Sequence, residues 1–275
     1  MGTSALAQLL NDLWEDYVTT NPPVQHIYDL FAARGERIIN DHIAFRTFNH
    51  PEINLDVFSK VFTDLGYQEK GDYRFVSKKL LARHLEHPDA AMPLIFISEL
   101  TIEEFDSEIA RIIHGLIDQI PSDFTNTNAF VRSGRPWNVS YKNYLALREV
   151  SEYAAWTAAF GFRVNHFTIS INHLKRFDGI LAVNQFLKDS GFKLNSAGGE
   201  VKGTPQELLE QSSTIAYNTE VQFSDGTFTI PACYYEFALR YQKPDGSLFR
   251  GFIPESADKI FESTNKGQDF KSKGM

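Results

Sequence analysis

One phrase is written twice in this chain, and the repetition limits the possible fold more than any other feature. The first copy opens with His42-Ile43-Ala44-Phe45-Arg46-Thr47-Phe48, a short run of aromatic and β-branched residues that reads as a strand. It turns at Pro51 and continues as a helical pattern from about Leu55 to Leu65 that stops at Gly66. The second copy opens with Asn165-His166-Phe167-Thr168-Ile169-Ser170-Ile171, and a helical segment from about Phe177 to Lys188 stops at Ser190-Gly191-Phe192. From histidine to closing glycine is 24 residues in one copy (42 to 66) and 25 in the other (166 to 191). A second histidine follows each strand, His50 and His173, and each helix closes on glycine plus an aromatic, Tyr67 and Phe192.

Strand-like pieces come after each helix: Tyr73–Val76 and Leu94–Ile97 in the first copy, then Thr219–Phe223, Phe228–Ile230 and Tyr234–Tyr241 in the second. Asp225-Gly226 is a hairpin turn signal between two of them. Two units of strand, helix and further strands, set side by side, predict an α+β fold: a curved mixed or mostly antiparallel sheet, helices outside, a cavity within. Residues 5–35 carry apolar positions at helical spacing, interrupted by Asn21-Pro22-Pro23, and read as two helices. The predicted layout is one domain over residues 1–275. N-terminal helices run to 40, the first repeat covers 41–100, a helical connector 101–160, the second repeat with a C-terminal segment 161–262, and a tail 263–275. The N-terminal helices and the connector are expected to pack together as a helical flank.

Composition narrows the use of such a fold. Apolar residues make up 43% of the chain and aromatics 13%, enough for a buried core. With 27 Lys+Arg against 35 Asp+Glu the net charge is −8, and no basic run interleaved with aromatics offsets it, so no nucleic-acid partner is expected. A single cysteine, Cys233, excludes an intramolecular disulfide and a cysteine-rich zinc site. The start, Met1-Gly2-Thr3-Ser4-Ala5-Leu6-Ala7 followed by acidic Asp12, Glu15 and Asp16, lacks the order of a signal peptide. No run of 18 apolar residues occurs to span a bilayer. The expectation is a cytoplasmic protein without a membrane partner.

Alternate side chains of a strand share a face. His42, Ala44, Arg46 and Phe48 therefore point one way; so do His166, Thr168 and Ser170, and so do Tyr234, Glu236, Ala238 and Arg240. Three strands each place a metal-capable side chain on one face with apolar bulk on the other. Two histidines and a carboxylate would leave half of an octahedral sphere open, the arrangement expected of non-haem iron(II) enzymes that bind an organic chelator and dioxygen. Taken singly, each histidine reads equally well as a core or rim residue, and Glu236 could pair with Arg240 or Arg46 instead. Arg46, about 13 Å along the strand from His42, could grip a distant carboxylate bidentately or form an internal salt bridge.

The remaining candidates read as structural. His84 and His87, with Glu86 between them, lie in a charged segment ending at Pro88 and read as a solvated helix end. Gly198-Gly199-Glu200-Val201-Lys202-Gly203 lacks phosphate-loop spacing and reads as a turn. Gln211-Ser212-Ser213-Thr214 reads as a polar turn or helix end that could lend hydroxyls and an amide to the cavity. His50 and His173 read as turn residues or outer partners, His26 and His114 belong to no constellation, and Cys233 reads as buried.

His42-Ile43-Ala44-Phe45-Arg46-Thr47, Asn165-His166-Phe167-Thr168, Tyr234-Tyr235-Glu236-Phe237 and Pro254-Glu255-Ser256-Ala257 with Ile260-Phe261 together resemble the 2-oxoadipate dioxygenase/decarboxylase family, over residues from about 40 to 262. That family is similar to the vicinal oxygen chelate superfamily, whose paired strand-helix-strand repeats match the doubled phrase. The resemblance implies a single metalloenzyme domain in which His42, His166 and Glu236 hold Fe(II), Arg46 binds the far carboxylate, and Ser256 contacts substrate. It implies that a 2-oxo dicarboxylate and O2 are the small-molecule partners, 2-oxoadipate giving 2-hydroxyglutarate and CO2. The chain departs from longer bacterial members at Glu255, where valine is expected, and is shorter after Glu236. Three other readings stand beside this one. Extradiol ring cleavage would leave Arg46 without a task. A glyoxalase-type isomerase needs a fuller ligand set, for which the first repeat offers Glu99. The third is a metal-free small-molecule binding protein.

Overall fold

In the computed structural model, which describes residues 4–254, the doubled phrase becomes the two central strands of one sheet. Strands β1 (Asn40–Phe48) and β5 (Val164–Ser170) lie antiparallel, Ala44 opposite His166 and His42 opposite Thr168. On its other side β1 pairs in parallel with β4 (Leu94–Leu100), and β5 likewise with β10 (Glu236–Arg240). Antiparallel strands β3 (Leu80–Glu86) and β2 (Gln68–Phe75) complete one half, and β7 (Leu209–Ser213) and β6 (Lys202–Thr204) the other. The order β2-β3-β4-β1-β5-β10-β7-β6 is thus one four-strand pattern read outward twice from the β1–β5 seam. This is the α+β arrangement of two strand-helix-strand repeats that the sequence predicts, with the sheet curled into a half-barrel.

The glycine-aromatic signal that closes each repeat helix has a specific geometry. After α3 (Leu55–Thr63) the Tyr67 N–H donates to the Phe62 carbonyl and the Gly66 N–H to that of Thr63. After α7 (Ile180–Asp189) Phe192 and Gly191 donate to Leu187 and Lys188 in the same way. Both are Schellman caps, which need a left-handed residue at the turn; Gly66 (φ +99°) and Gly191 (φ +87°) supply it.

Helices cover the outer face. On Phe45, which alternation turns away from His42, α3 sets Phe58 and Phe62 at ring distances of 6.0 and 5.4 Å. All three rings are almost fully buried, each contributing about 1.5–3 kcal/mol. In the second half Trp14 and Tyr17 of α1 (Ala5–Thr20) pack 5.1 and 5.0 Å from Phe167, and Phe31 of α2 (Pro22–Ala33) lies 6.1 Å from Phe237. Pro22 and Pro23 open α2 where a missing N–H loses no helical bond.

The connector contains α4 (Ser107–Ile117), α5 (Tyr141–Val150) and α6 (Glu152–Phe160). Buried on all sides, α6 closes one end of the inner face; Tyr153 donates to the Ser98 carbonyl at 2.6 Å and accepts from the Thr47 N–H at 3.0 Å. The N-terminal helices meet the connector at the Asp12–Arg132 ion pair, 2.7 Å. The expected helical flank is therefore divided, α1 and α2 lying on the outer face and α6 at the inner one. No helix among the described residues is long and apolar enough to cross a membrane.

Several local readings are corrected. The segment holding His84 and Glu86 is strand β3 rather than a helix end, and Gln211-Ser212-Ser213 is part of strand β7 rather than a turn. Polar side chains hid both strands, because buried polar groups here, on either face, are satisfied by partners from other elements. Ser212 donates to Asn184 Oδ1 of α7 at 2.7 Å, for example. Within the expected glycine-rich turn, Lys202–Thr204 pairs as β6. Strands β8 (Asn218–Phe223) and β9 (Gly226–Pro231) leave the main sheet altogether as a hairpin inserted between β7 and β10. There Phe228 stacks on Tyr141 at 3.8 Å and Asp225 accepts from the Tyr141 N–H at 2.6 Å, so the hairpin belongs to the connector's surroundings.

Candidate metal centre

His42 from β1, His166 from β5 and Glu236 from β10 converge at the centre of the inner face, on adjacent strands. Among the described residues they form the one group whose ligand atoms could hold a metal, all within 4.8 Å and all buried. His42 Nε2 lies 3.3 Å from His166 Nε2 and 3.5 Å from Glu236 Oε1; His166 Nε2 lies 3.2 Å from Glu236 Oε2. Each ring is turned by the residue before it. His42 Nδ1 is 2.8 Å from Asp41 Oδ1 and His166 Nδ1 is 3.0 Å from Asn165 Oδ1. These acceptors place the ring protons on Nδ1 and leave both Nε2 lone pairs aimed at the carboxylate.

Three acceptors facing one another in a buried space call for a cation. Burial raises the Glu236 carboxyl above its ordinary value against the pull of His42 and of the Gln211 hydrogen bond, and Glu236 Oε2 has no hydrogen-bond partner. Burial, together with His42 and Arg46, holds His166 well below the usual histidine range, so the ring is neutral and ready to ligate. The donor set therefore fits a divalent metal bound through three protein atoms.

The second ring of residues is equally fixed. Asp41 is clamped by Arg240 through Nε–Oδ2 at 2.7 Å and Nη2–Oδ1 at 2.8 Å. Burial alone would raise the Asp41 carboxyl, but Arg240 and the His42 hydrogen bond outweigh it and hold it well below the carboxylate range. Gln211 of β7 donates to Glu236 Oε1 at 2.5 Å. Thus Glu236 pairs with neither Arg240 nor Arg46, the two partners its strand suggested.

Arg46 is buried on the same face and forms an ion pair with Glu152 of α6 at 3.0 Å. Its guanidinium lies 4.8 and 5.1 Å from the ring centres of Tyr153 and Trp156. Burial would lower its pKa, and Glu152 more than compensates.

Comparison with known proteins identifies the family. A model of the 2-oxoadipate dioxygenase/decarboxylase family matches residues 4–247. The chain belongs to that family. The rice 2-oxoadipate dioxygenase/decarboxylase, chloroplastic/amyloplastic, is 35% identical over 94% of this chain and 79% of that protein. Among solved structures, rice hydroxyglutarate synthase in complex with 2-oxoadipate is 35% identical with a TM-score of 0.89, covering 95% of this chain and 92% of that one. A Shewanella frigidimarina protein described as a hydrolase is 52% identical with a TM-score of 0.87, covering 92% and 99%. A Ralstonia eutropha glyoxalase superfamily protein, 20% identical with a TM-score of 0.74 over 92% and 89%, shares the fold.

In this family member the two halves of the sheet can be aligned position by position. Register puts Ala44 beside Phe96 and Thr168 beside Glu236, so Phe96 occupies in the first half the place Glu236 has in the second. Glu99, the extra carboxylate the first repeat offers for the fuller ligand set of an isomerase, faces away and accepts from the Leu55 N–H at 2.8 Å, at the start of α3. Among the described residues the candidate centre therefore offers three ligand atoms.

A strap from Phe249 to Pro254 roofs the centre. Arg240 Nη1 donates to the Gly251 carbonyl at 2.7 Å, and the Phe252 ring lies 4.9 Å from His42 and 4.7 Å from Phe96. His84, far from solvated, is buried and 2.8 Å from the Tyr73 hydroxyl, which accepts from the Phe252 N–H. His50 and His173 join local contacts, to the Glu52 N–H and the Ser170 hydroxyl. Ser256 lies outside the described residues. Sequence reading gave no task to Asp41, Asn165 or Glu152, placed Tyr234 on the face of Glu236 without a task, and named Gln211 only as an amide that could reach the cavity. A polar acceptor directly before each histidine was the available signal for the first two; the others come from distant elements or carry no spacing signature.

Proposed function

We propose that this chain is an iron(II)-dependent dioxygenase that converts 2-oxoadipate and O2 into 2-hydroxyglutarate and CO2. The observation that carries this reading is a buried three-ligand centre sharing one face with a buried arginine, in a chain of the 2-oxoadipate dioxygenase/decarboxylase family. His42, His166 and Glu236 would hold the metal, with Asp41, Asn165 and Gln211 fixing their orientation. Iron(II), when bound, supplies sites for chelation of a 2-oxo acid and the redox chemistry that activates O2.

The protein's own part is positioning and exclusion of water. Arg46 takes the far carboxylate of the substrate, sharing its guanidinium with Glu152 or exchanging one carboxylate for the other, while the Tyr153 and Trp156 rings keep it flat. Phe252 and Phe96 shield the centre from solvent at the His42 side, and the family resemblance adds Ser256 as a further substrate contact in this reading. Both oxygen atoms of O2 enter 2-hydroxyglutarate, one in the new carboxylate and one in the hydroxyl, while CO2 leaves with the substrate's own carboxylate oxygens, so no separate co-substrate is needed. The single buried Cys233 suits a reducing compartment such as the cytoplasm.

The test is anaerobic reconstitution with iron(II), then addition of 2-oxoadipate and O2 with oxygen uptake and CO2 release followed together. Equal uptake and release, with 2-hydroxyglutarate as product, is the expected result. No oxygen uptake with any 2-oxo acid would overturn the proposal and return the site to an isomerase or a small-molecule binding protein.

A further inference from the structure

The inner faces of the two halves carry counterparts: His42 and His166, Ala44 and Thr168, Phe96 and Glu236, Arg46 and Ser170. Two of the unlike pairs contain the residues already given tasks, Glu236 and Arg46. Another unlike pair lies two residues earlier on β4 and just before β10, where Leu94 in the first half corresponds to Tyr234 in the second. Both are buried, so an apolar side chain satisfies the fold at this position and a hydroxyl is a departure.

That hydroxyl is also unpaired. Tyr234 is 1% exposed and its Oη is buried without a hydrogen-bond partner, a condition that costs about 1–3 kcal/mol. Two nearby buried tyrosines are satisfied: Tyr153 donates to the Ser98 carbonyl and Tyr17 donates to the carbonyl of Tyr234 itself. The Tyr234 ring stacks on His166 at 4.7 Å and 25°, which fixes it beside the metal centre. Tyr235, whose hydroxyl also lacks a partner, faces the other way toward Trp14, Tyr17 and Phe237.

We infer that Tyr234 is a substrate-binding residue whose hydroxyl donates a hydrogen bond to an oxygen of the 2-oxo acid held between the metal centre and Arg46. The inference rests on the 2-oxo acid reading above. An ionised 2-oxo dicarboxylate offers only acceptors, and a phenol, with an ordinary pKa of about 10, is a donor at neutral pH. The ligand thereby satisfies a group the protein leaves without a partner, and substrates lacking an oxygen there are disfavoured.

The experiment compares wild type with Tyr234→Phe and Tyr235→Phe, each loaded with iron(II). It measures anaerobic binding of 2-oxoadipate by calorimetry, KM and kcat, iron stoichiometry and melting temperature. Tyr234→Phe is expected to weaken binding and raise KM by about 10- to 100-fold, as for one hydrogen bond to a charged group. Iron content should be unchanged and the melting temperature no lower, because an unpaired buried hydroxyl has been removed; Tyr235→Phe should leave binding as in wild type. Unchanged 2-oxoadipate affinity in Tyr234→Phe, whatever happens to kcat, overturns the inference, as does a lowered melting temperature with lost iron. Failure of the wild type itself to bind 2-oxoadipate or take up oxygen would overturn the functional reading, a separate result.

Discussion

The two halves of the sheet share a frame and differ in what they hold. Both have a histidine strand, a capped helix and three further strands in the same order and sense. Yet the first half sets Phe96 and Ala82 where the second sets Glu236 and Gln211, and the second sets Ser170 where the first has Arg46. A duplicated frame can carry one asymmetric site because the backbone register is fixed by hydrogen bonds, while inward side chains can change without disturbing it. The histidines come from the common part; Glu236 and Arg46, the proposed third ligand and carboxylate grip, come from the divergence.

Exchanging residues between halves tests this directly. Replacing Glu236 by Phe, its counterpart, is expected to abolish iron binding and turnover, as should His42→Ala or His166→Ala. Metal analysis of a folded variant that retains one iron per chain would break the ligand assignment. Arg46→Ser should spare the iron and raise KM for 2-oxoadipate by about 100-fold or more, the loss of a bidentate charged contact. A 2-oxo monocarboxylate should be little affected, and equal losses on both would make Arg46 purely structural.

A smaller change is expected from Gln211→Ala, again the first-half residue. It leaves Glu236 unsupported and should weaken metal affinity about 10- to 100-fold, measured by chelator competition. Metal binding should also depend on pH with a definite sign. Glu236, raised by burial, must lose a proton to bind metal, whereas His166, lowered by burial, is already neutral. Affinity should therefore fall by up to about tenfold per unit as pH drops below the raised Glu236 value, with one proton released per metal bound. A pH-independent affinity from pH 7 down to 4 would contradict this.

The smallest effect concerns what the halves have in common. Gly66→Ala and Gly191→Ala should each destabilise by about 1 kcal/mol, because both sit in the left-handed region. Gly66→Ala should cost slightly more, since its added carbon would meet His87 Nε2 at 3.1 Å while Gly191 faces open space. Denaturant unfolding of the two variants gives the comparison.

By itself the sequence determined the repeat, the helix caps and the face on which each ligand lies. These depend on local rules: a period of two in strands, of 3.6 in helices, and a glycine where the chain turns left-handed. Alternation and the doubled phrase put His42 and His166 at equivalent strand positions, and the family resemblance joined Glu236 to them as the candidate triad. Only the tertiary structure decided that Arg46 faces Glu152 from α6, that Gln211 reaches Glu236, that Glu99 faces away, and that the polar segments around His84 and Ser212 are strands. Those outcomes depend on which strands become neighbours and on where a helix from the connector closes the sheet. Partner choice across a curled sheet is set by register and packing between residues up to about two hundred positions apart, as with Asp41 and Arg240, and no local spacing encodes it.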